Sequence, residues 1–481
     1  MTPLSEWRAR AARALREGRV EDGIAAYRAV VAALPADADA WYNLAYLLRC
    51  ARRFDEALDG YGQALAHGIA RPEEVHLNRA VIMAEFRERG AAAEAELRKA
   101  VAIAPAFVPA WLNLGNLYED QGRAAEARAA YAQVLAIDPG NGRAQARLAA
   151  IAVFEGHAGQ AVPMLREALA RPGLRVPAAA EMGFALGQAL DAEGRYDEAF
   201  AAFAEANCAA RETMPLAYRY DRGAQERLVD ALIAADPVPV VPDRGGDDAP
   251  LFICGMFRSG STLVEQMLSR HSRVTRGGEL EIVPALAAEW MGRGWPATVS
   301  DDAVAAMRQR YKEEVSAIHP DADLLTDKRP DNFLYIGLIK RLFPRARIVN
   351  TTRHLHDTAL SIYFNYFDDS VSYGNDLGDI AHWLAQYERL MAHWRTLYPD
   401  DIHDIAYDRL VEDPASTIAA LLSFCGLAWE EAVLRPDQAD GPVRTASVWQ
   451  VRQPLHRRSS GRWRHYARHL APLATLLGSP R

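Results

Sequence analysis

The chain has 481 residues, 50% hydrophobic and 25% charged, with 55 basic against 63 acidic residues and a formal charge of −8. That length predicts two or three domains. The composition excludes collagen-like, low-complexity and wholly disordered chains, and the acidic balance argues against a dedicated nucleic-acid partner.

No apolar run reaches the roughly 18 residues that a membrane span needs. Four cysteines, Cys50, Cys208, Cys254 and Cys425, lie far apart and suggest neither a zinc knuckle nor a disulfide framework. The opening residues lead into a charged helical pattern without a signal-peptide core. A cytoplasmic location is the expectation, with export by a non-standard route left open.

The N-terminal half repeats itself. Trp7, Trp41, His76 and Trp111 are separated by 34, 35 and 35 residues, and Asn43, Asn78 and Asn113 keep the 35-residue step. Ala45, Ala80 and Gly115 are small at the matching place. Tyr27, Tyr61 and Tyr131 form a second aromatic series, and Pro35, Pro105 and Pro139 a third set. Gly18, Gly122, Gly156 and Gly194 sit where a turn between helices is wanted. Each unit reads as two amphipathic helices that a proline then ends. A small residue lets the two helices approach, and an aromatic fills the gap. One such pair cannot bury its own apolar face, so pairs must stack.

This pattern resembles the tetratricopeptide repeat. About five or six units are expected over residues 1–210, the later ones degenerate. Two readings of this half stand: a concave surface for a protein or peptide partner, or a packing and oligomerisation scaffold. The repeated aromatics are expected in the core, and homo-oligomerisation is left open.

Residues 211–248 lose the period and read as a linker, with a Pro-, Gly- and Asp-rich run after Asp236. From 249 to 481, strand-like runs alternate with helical ones: Leu251–Cys254, Leu324–Lys328, Ala346–Thr352 and His403–Tyr407. That alternation predicts a parallel sheet covered by helices, with ligands at the carboxyl ends of the strands.

The strongest local signal is Gly255-Met-Phe-Arg-Ser-Gly-Ser-Thr262, between a strand and a helix. Backbone N–H groups of such a loop and of the helix start converge on an anion. The spacing is that of the nucleotide loop GxxxxGK[ST], except that Ser261 stands where the lysine would be. This argues against an ordinary kinase or ATPase. Arg258 brings positive charge from inside the loop instead.

Residues 250–268 resemble the 5′-phosphosulfate loop of sulfotransferases, especially bacterial ones with N-terminal tetratricopeptide repeats that are related to the protein-tyrosine sulfotransferases. The resemblance runs in ordered blocks from about 249 to 470. It implies an α/β P-loop-like sulfotransferase domain with a central parallel sheet, following an all-α repeat solenoid. It also implies 3′-phosphoadenosine-5′-phosphosulfate (PAPS) as sulfuryl donor.

By this resemblance Arg258, Ser259, Gly260, Ser261 and Thr262 hold the 5′-phosphate and sulfuryl oxygens. Arg353 and, eight residues on, Ser361 match the 3′-phosphate motif, where a guanidinium fork and a hydroxyl suit a dianion. His354-Leu355 departs from the family's frequent Asp-Pro, which bears on the turn more than on the charge contact. Tyr407, in Ala406-Tyr-Asp-Arg-Leu-Val-Glu-Asp-Pro414, matches a block whose tyrosine lines the nucleotide site.

Gly441–Leu470 holds Arg444, Arg452, Arg457, Arg458, Arg462, Arg464 and Arg468 and no acidic residue. It resembles the family's cofactor-covering loop, with Arg458, Ser460 and Arg462 as the implied contacts. A basic surface paired with acidic neighbours is the other reading.

For the chemistry, Glu279 in Arg276-Gly-Gly-Glu-Leu-Glu281 matches the family's general base, with Glu281 as a neighbour able to exchange roles. His271, His354 and His356 are the alternative bases, His271 being the more structural of them. Lys328, in Thr326-Asp-Lys-Arg-Pro-Asp-Asn-Phe333, matches the family's Asp-Lys block and would offset charge on the leaving phosphate. No metal is expected, arginine and lysine taking that place. The acceptor stays open among a protein or peptide, its tyrosine included, and a small hydroxyl compound. A repeat adaptor that binds a nucleotide without catalysis is the alternative.

Overall fold

The computed structural model describes residues 3–85, 89–235, 249–292, 300–367, 369–438, 455–470 and 473. Residues 236–248 of the expected linker, and Arg444 and Arg452, lie outside the described residues. The chain divides into two compact units, Met1–Ala144 and Gln145–Arg481.

Twelve helices make up the repeat region among the described residues. They are α1 (Pro3–Arg16), α2 (Val20–Ala33), α3 (Ala38–Cys50), α4 (Phe54–Ala66), α5 (Pro72–Glu85), α6 (Gly90–Ile103), α7 (Val108–Asp120), α8 (Ala124–Ile137), α9 (Gly142–Phe154), α10 (Ala158–Leu169), α11 (Val176–Ala192) and α12 (Tyr196–Thr213). The repeat positions explain their packing. Tyr27, Tyr61 and Tyr131 are buried. A Cβ on Gly115 would come within 2.5 Å of the Tyr131 ring, and one on Gly187 within 2.6 Å of Phe203, so both pairs of helices close on a missing side chain. The tryptophans do something different from filling the core. Trp41 Nε1 donates to the Pro35 carbonyl at 2.8 Å and Trp111 Nε1 to the Pro105 carbonyl at 2.9 Å, so each ties a helix to the turn before it. The predicted turn glycines Gly18, Gly122, Gly156 and Gly194 all have positive φ.

Part of the expected linker is helical. Asp221 accepts from the Ala224 N–H at 3.0 Å and caps α13 (Arg222–Ala234), whose Val229 and Leu232 are buried three residues apart. Leu228 and Ile233 pack beside them, so the apolar pairs Leu228-Val229 and Leu232-Ile233 stand four residues apart, a helical signal inside the stretch read as linker.

The remaining elements alternate. They are β1 (Leu251–Gly255), α14 (Ser261–Leu268), β2 (Val274–Arg276), α15 (Ile282–Gly292), α16 (Asp301–Ile318), β3 (Leu324–Lys328), α17 (Ile336–Leu342), β4 (Ile348–Thr352), α18 (Leu355–Tyr363), α19 (Leu377–Leu397), β5 (Ile402–Ala406), α20 (Tyr407–Glu412) and α21 (Pro414–Cys425). The four predicted strands are present. The fifth, β2, is three residues long and carries too little apolar pattern to show in the sequence.

All pairings are parallel, in the order β2-β3-β1-β4-β5. Every residue of the central β1 is buried, as a parallel strand covered on both faces requires. One face packs Leu263, Val264 and Met267 of α14 against Leu251, Ile253 and Val349. The other joins Phe252 to Tyr311, Phe343 and Trp383, and that core continues into Phe184 and Phe203 of α11 and α12. The last repeat helices and the sheet therefore share one hydrophobic core within the second unit. Among the described residues no helix is long and apolar enough to cross a membrane.

Candidate active site

Chains leave β1 and β4 at adjacent carboxyl ends, where the order of the parallel sheet opens a crevice for ligands. The β1 exit is the loop Gly255–Gly260. Ser259 Oγ donates to the Met256 carbonyl at 2.6 Å and lies 2.7 Å from Thr351 Oγ1, which itself donates to the Cys254 carbonyl at 3.0 Å. Ser259 thus folds the loop and pins it to β4. Gly260 precedes α14 at φ 108, and a Cβ there would meet the Tyr407 ring at 2.8 Å. Arg258 is held at φ 70, a costly conformation for a side-chain-bearing residue of the kind that gathers at functional sites. Ser261 and Thr262 open α14 and are buried, so the first N–H groups of that helix face the loop.

Guanidinium groups converge above this loop. Arg258 Nε donates to Ser361 Oγ at 3.1 Å. Arg353, just past β4, donates to the Arg258 carbonyl at 3.2 Å and to the Ser459 carbonyl, and its guanidinium lies 5.1 Å from the Tyr407 ring centroid. Burial, with the nearby charges of Arg353 and Arg462, pushes Arg258 down to about 10. Arg353 is also lowered, first by burial, with the Asp357 and Asp408 carboxylates opposing the shift and Arg462 adding to it. Arg353 Nε is buried and has no hydrogen-bond partner among the described residues. The two carboxylates that offset part of the Arg353 charge take their hydrogen bonds from other donors. Asp357 accepts from the N–H groups of Gly461 at 2.7 Å and Trp463 at 2.8 Å. Asp408 accepts from the His354 N–H at 3.1 Å and from Ser460 Oγ. Like charges brought together in a dry crevice, with a donor left unsatisfied, are the signature of a site that binds an anion. The residues present fit a ligand with two phosphate-like groups.

A second cluster lies across the loop, at the end of β3. Lys328, whose side chain is 1% exposed, pairs with Glu279. The placement of Glu279 depends on a residue that the sequence motifs did not single out. Glu265, fully buried in α14, accepts from Thr326 Oγ1 at 2.9 Å, from the Gly278 N–H at 2.9 Å and from Arg276 Nε at 3.2 Å. The Lys328 N–H donates to the Gly278 carbonyl at 2.9 Å. A Cβ on Gly277 would lie 2.1 Å from the Thr326 carbonyl oxygen, so only glycine lets this turn approach β3. The turn carries Glu279 to Lys328, while Glu281 is drawn aside by Arg329. The single charge in the otherwise uncharged helix Ser261–Leu268 was the available signal for Glu265.

The sequence-predicted residues fall into two groups. Arg258, Ser259, Gly260, Ser261, Thr262, Arg353, Ser361 and Tyr407 surround the loop. Ser361 meets the loop arginine Arg258 rather than Arg353, because α18 turns its hydroxyl back toward β1. The departure at His354-Leu355 leaves the turn formed: the His354 N–H is taken by Asp408 and α18 starts at Leu355. In the C-terminal segment, Ser460 gives its hydroxyl to Asp408 and Arg462 pairs with Asp191, both instead of facing the loop freely. Arg458 is exposed. Of the histidines, His271 is buried with Nε2 3.0 Å from the Ala428 carbonyl and Nδ1 accepting from the Arg273 N–H, a structural role. His354 stacks on Trp463 and His356 is lowered by burial. Among the described residues no three His, Cys, Asp or Glu side chains gather as a metal site.

Asp327 shows how tightly this strand end is packed. Its side chain points away from Lys328, as alternation requires, and accepts from Tyr311 OH at 2.8 Å. Burial pushes its carboxyl up to about 7. The native state therefore holds this proton more tightly than the unfolded chain, and stability falls as pH rises from the ordinary carboxylate range toward 7. Asp327→Asn is expected to gain stability relative to the natural chain at pH 8 compared with pH 5, as read by urea unfolding at the two values. An unchanged difference would contradict the assignment.

Residues 250–431 match the sulfotransferase family, and residues 8–75, 108–141 and 147–214 match tetratricopeptide repeats. The chain therefore joins tetratricopeptide repeats to a sulfotransferase-family domain. It is 30% identical over 420 residues to an uncharacterised protein of Aquifex aeolicus, an alignment spanning 84% of this chain and 54% of that protein. It is also 25% identical over 259 residues to protein-tyrosine sulfotransferase 2 of Gallus gallus, covering 47% of this chain and 68% of that one. The chain thus spans little more than half the length of the first of these relatives and about two thirds of the second. The sulfotransferase domain of the Synechococcus PCC 7002 olefin synthase is similar at 20% identity, over 46% of this chain and 90% of that domain, with a TM-score of 0.37.

Proposed function

We propose that the protein transfers a sulfuryl group from PAPS to an acceptor hydroxyl, a protein or peptide tyrosine being the first acceptor to test. The observation that carries this reading is the convergence of Arg258 and Arg353 over the glycine-containing loop, with Arg353 Nε unsatisfied among the described residues. When bound, the donor supplies a sulfuryl group activated by a phosphate leaving group.

The loop N–H groups and the start of α14 would hold the 5′-phosphate. Arg353 and Ser361 would hold the 3′-phosphate, the distinguishing group of this nucleotide, and Arg258 the 5′-phosphate and sulfuryl oxygens. Tyr407, packed between Gly260 and Arg353, would border the nucleotide. Lys328 would offset negative charge as it grows on the leaving oxygen. Glu279 would take the acceptor proton. The acceptor oxygen forms the new S–O bond as the S–O bond to the 5′-phosphate breaks, and 3′-phosphoadenosine 5′-phosphate leaves. The fixed positive charges fill the place that a metal ion takes in many phosphoryl-transfer enzymes.

Two supports bear on the acceptor: the names of the relatives, which are protein-tyrosine sulfotransferases, and the repeats, whose kind of surface recruits a protein acceptor or partner. The test incubates the full chain with sulfur-labelled PAPS and a tyrosine-containing peptide, its Tyr→Phe counterpart, or a small phenol. Label on the tyrosine peptide alone is expected. Transfer to the phenol alone would overturn the peptide acceptor. No transfer and no donor consumption with any acceptor would favour the nucleotide-binding adaptor.

A further inference from the structure

The last repeat hairpin holds part of the anion site in place. Asp191 is the penultimate residue of α11, and it reaches the C-terminal segment 271 residues away. Its Oδ2 lies 2.5 Å from Arg462 Nη2 and its Oδ1 accepts from Arg462 Nε at 3.2 Å, a two-point grip on the guanidinium. The same carboxylate accepts from Tyr466 OH, and Tyr466 is fully buried. The Arg462 guanidinium lies 5.3 Å from the Phe364 ring centroid, and Phe364 stacks at 4.0 Å on Phe203 of α12. Asn207 of α12, also buried, donates to the Tyr363 carbonyl at 2.9 Å. Thus α11 and α12 grip both the C-terminal segment and the end of α18, and α18 carries Ser361.

What the segment does at the site follows from its other contacts. Ser459 gives its carbonyl to Arg353, the N–H groups of Gly461 and Trp463 satisfy Asp357, and Arg462 adds its charge to the field that lowers Arg258 and Arg353. Arg462 therefore belongs to the arginine cluster but owes its orientation to a repeat carboxylate. Without that carboxylate, three cations would share one crevice, and Arg462 would lose its charged partner and keep the Phe364 ring alone of the contacts named above.

We infer that Asp191 is a positioning residue of the donor site: it fixes Arg462 and holds residues 459–466 across the arginine cluster, so that the hairpin α11–α12 is a structural part of the nucleotide site. The ligand in this inference rests on the donor reading above, but the anchoring of the segment does not.

The experiment compares the full chain with Asp191→Asn, Asp191→Glu, Arg462→Ala and the Asn/Ala double variant. Two quantities are read: calorimetric affinity for 3′-phosphoadenosine 5′-phosphate, and amide hydrogen exchange over residues 459–466. Asp191→Asn is expected to raise the dissociation constant about tenfold and to speed exchange at Gly461 and Trp463 while leaving β1 and β4 protected. Asp191→Glu should recover much of the affinity. The double variant should cost no more than the worse single one, because both remove the same pair; a residue serving only general stability would give additive losses and exposed sheet amides instead. Unchanged exchange together with unchanged or tighter binding in Asp191→Asn would overturn the inference. Faster exchange in a variant of a chain that binds no nucleotide at all would uphold the anchoring and sink the donor reading alone.

Discussion

Arg353→Ala is expected to weaken binding of 3′-phosphoadenosine 5′-phosphate by on the order of 100-fold or more. A hydrogen bond to a charged group contributes about 1.5–3 kcal/mol, and a fork that makes two of them to one phosphate accounts for such a loss. The structure adds a second expectation that separates lost binding from lost folding. Arg353 is a buried cation whose ionised form is disfavoured by burial and, more weakly, by Arg462, while the nearby carboxylates of Asp357 and Asp408 favour it. Its removal relieves the burial penalty and the repulsion from Arg462, at the cost of its attraction to Asp357 and Asp408 and its contacts with Tyr407 and with the carbonyls of Arg258 and Ser459. The thermal midpoint of the ligand-free variant should therefore stay close to that of the natural chain while affinity collapses. Arg353→Lys should fall between, because an ammonium keeps the charge but loses the planar fork. A variant that binds normally, or that loses binding only because it unfolds, would contradict the placement of the phosphate at Arg353.

Glu279→Gln carries the second large effect. General-base catalysis is typically worth about 10²–10⁴ in rate, so turnover should fall by about that range with donor affinity little changed. Glutamine is the informative replacement. Lys328 is buried to 1% of its side-chain surface, and removing the carboxylate altogether would strand its ammonium. The glutamine carbonyl still accepts from Lys328, so the turn at Gly277–Gly278 and the strand end should persist. Glu281→Gln is the internal control. Glu281 pairs with Arg329 and is turned from Lys328, so its loss should leave turnover within a few-fold. Equal losses for the two would mean that the base has been assigned to the wrong carboxylate.

Much of this arrangement is legible in the sequence, and the limits have physical causes. The repeats announce themselves because one helical hairpin recurs at a fixed period, and the same small-to-aromatic pairing, Gly115 with Tyr131, recurs in space as Gly187 with Phe203. The loop Gly255–Thr262 is readable because a phosphate cradle imposes spacing on the backbone itself. What escaped depends on contacts between distant segments. Glu265 looks like one charge in an apolar helix until β3 and the Gly277–Gly278 turn are folded around it. Ser361 follows Arg353 by eight residues, yet its hydroxyl meets Arg258, 103 residues earlier. Ser460 and Arg462 read as phosphate ligands by kinship, but the fold gives their side chains to Asp408 and Asp191, two carboxylates with no local pattern linking them to the segment. Helix α13 is one turn-pair of apolar residues, Leu228-Val229 and Leu232-Ile233, next to a Pro- and Gly-rich run that dominates the reading of the stretch.

The central claim is that the crevice at the ends of β1 and β4 recognises a nucleotide by its 3′-phosphate. The measurement that tests it most directly is a calorimetric titration of the full chain with 3′-phosphoadenosine 5′-phosphate, ADP and ATP in turn, without added metal. Tight binding of the first is expected, with ADP and ATP at least about tenfold weaker, because neither places a phosphate at Arg353 and one charged contact is worth that much. Equal affinity for ATP, or no binding of 3′-phosphoadenosine 5′-phosphate, would contradict it.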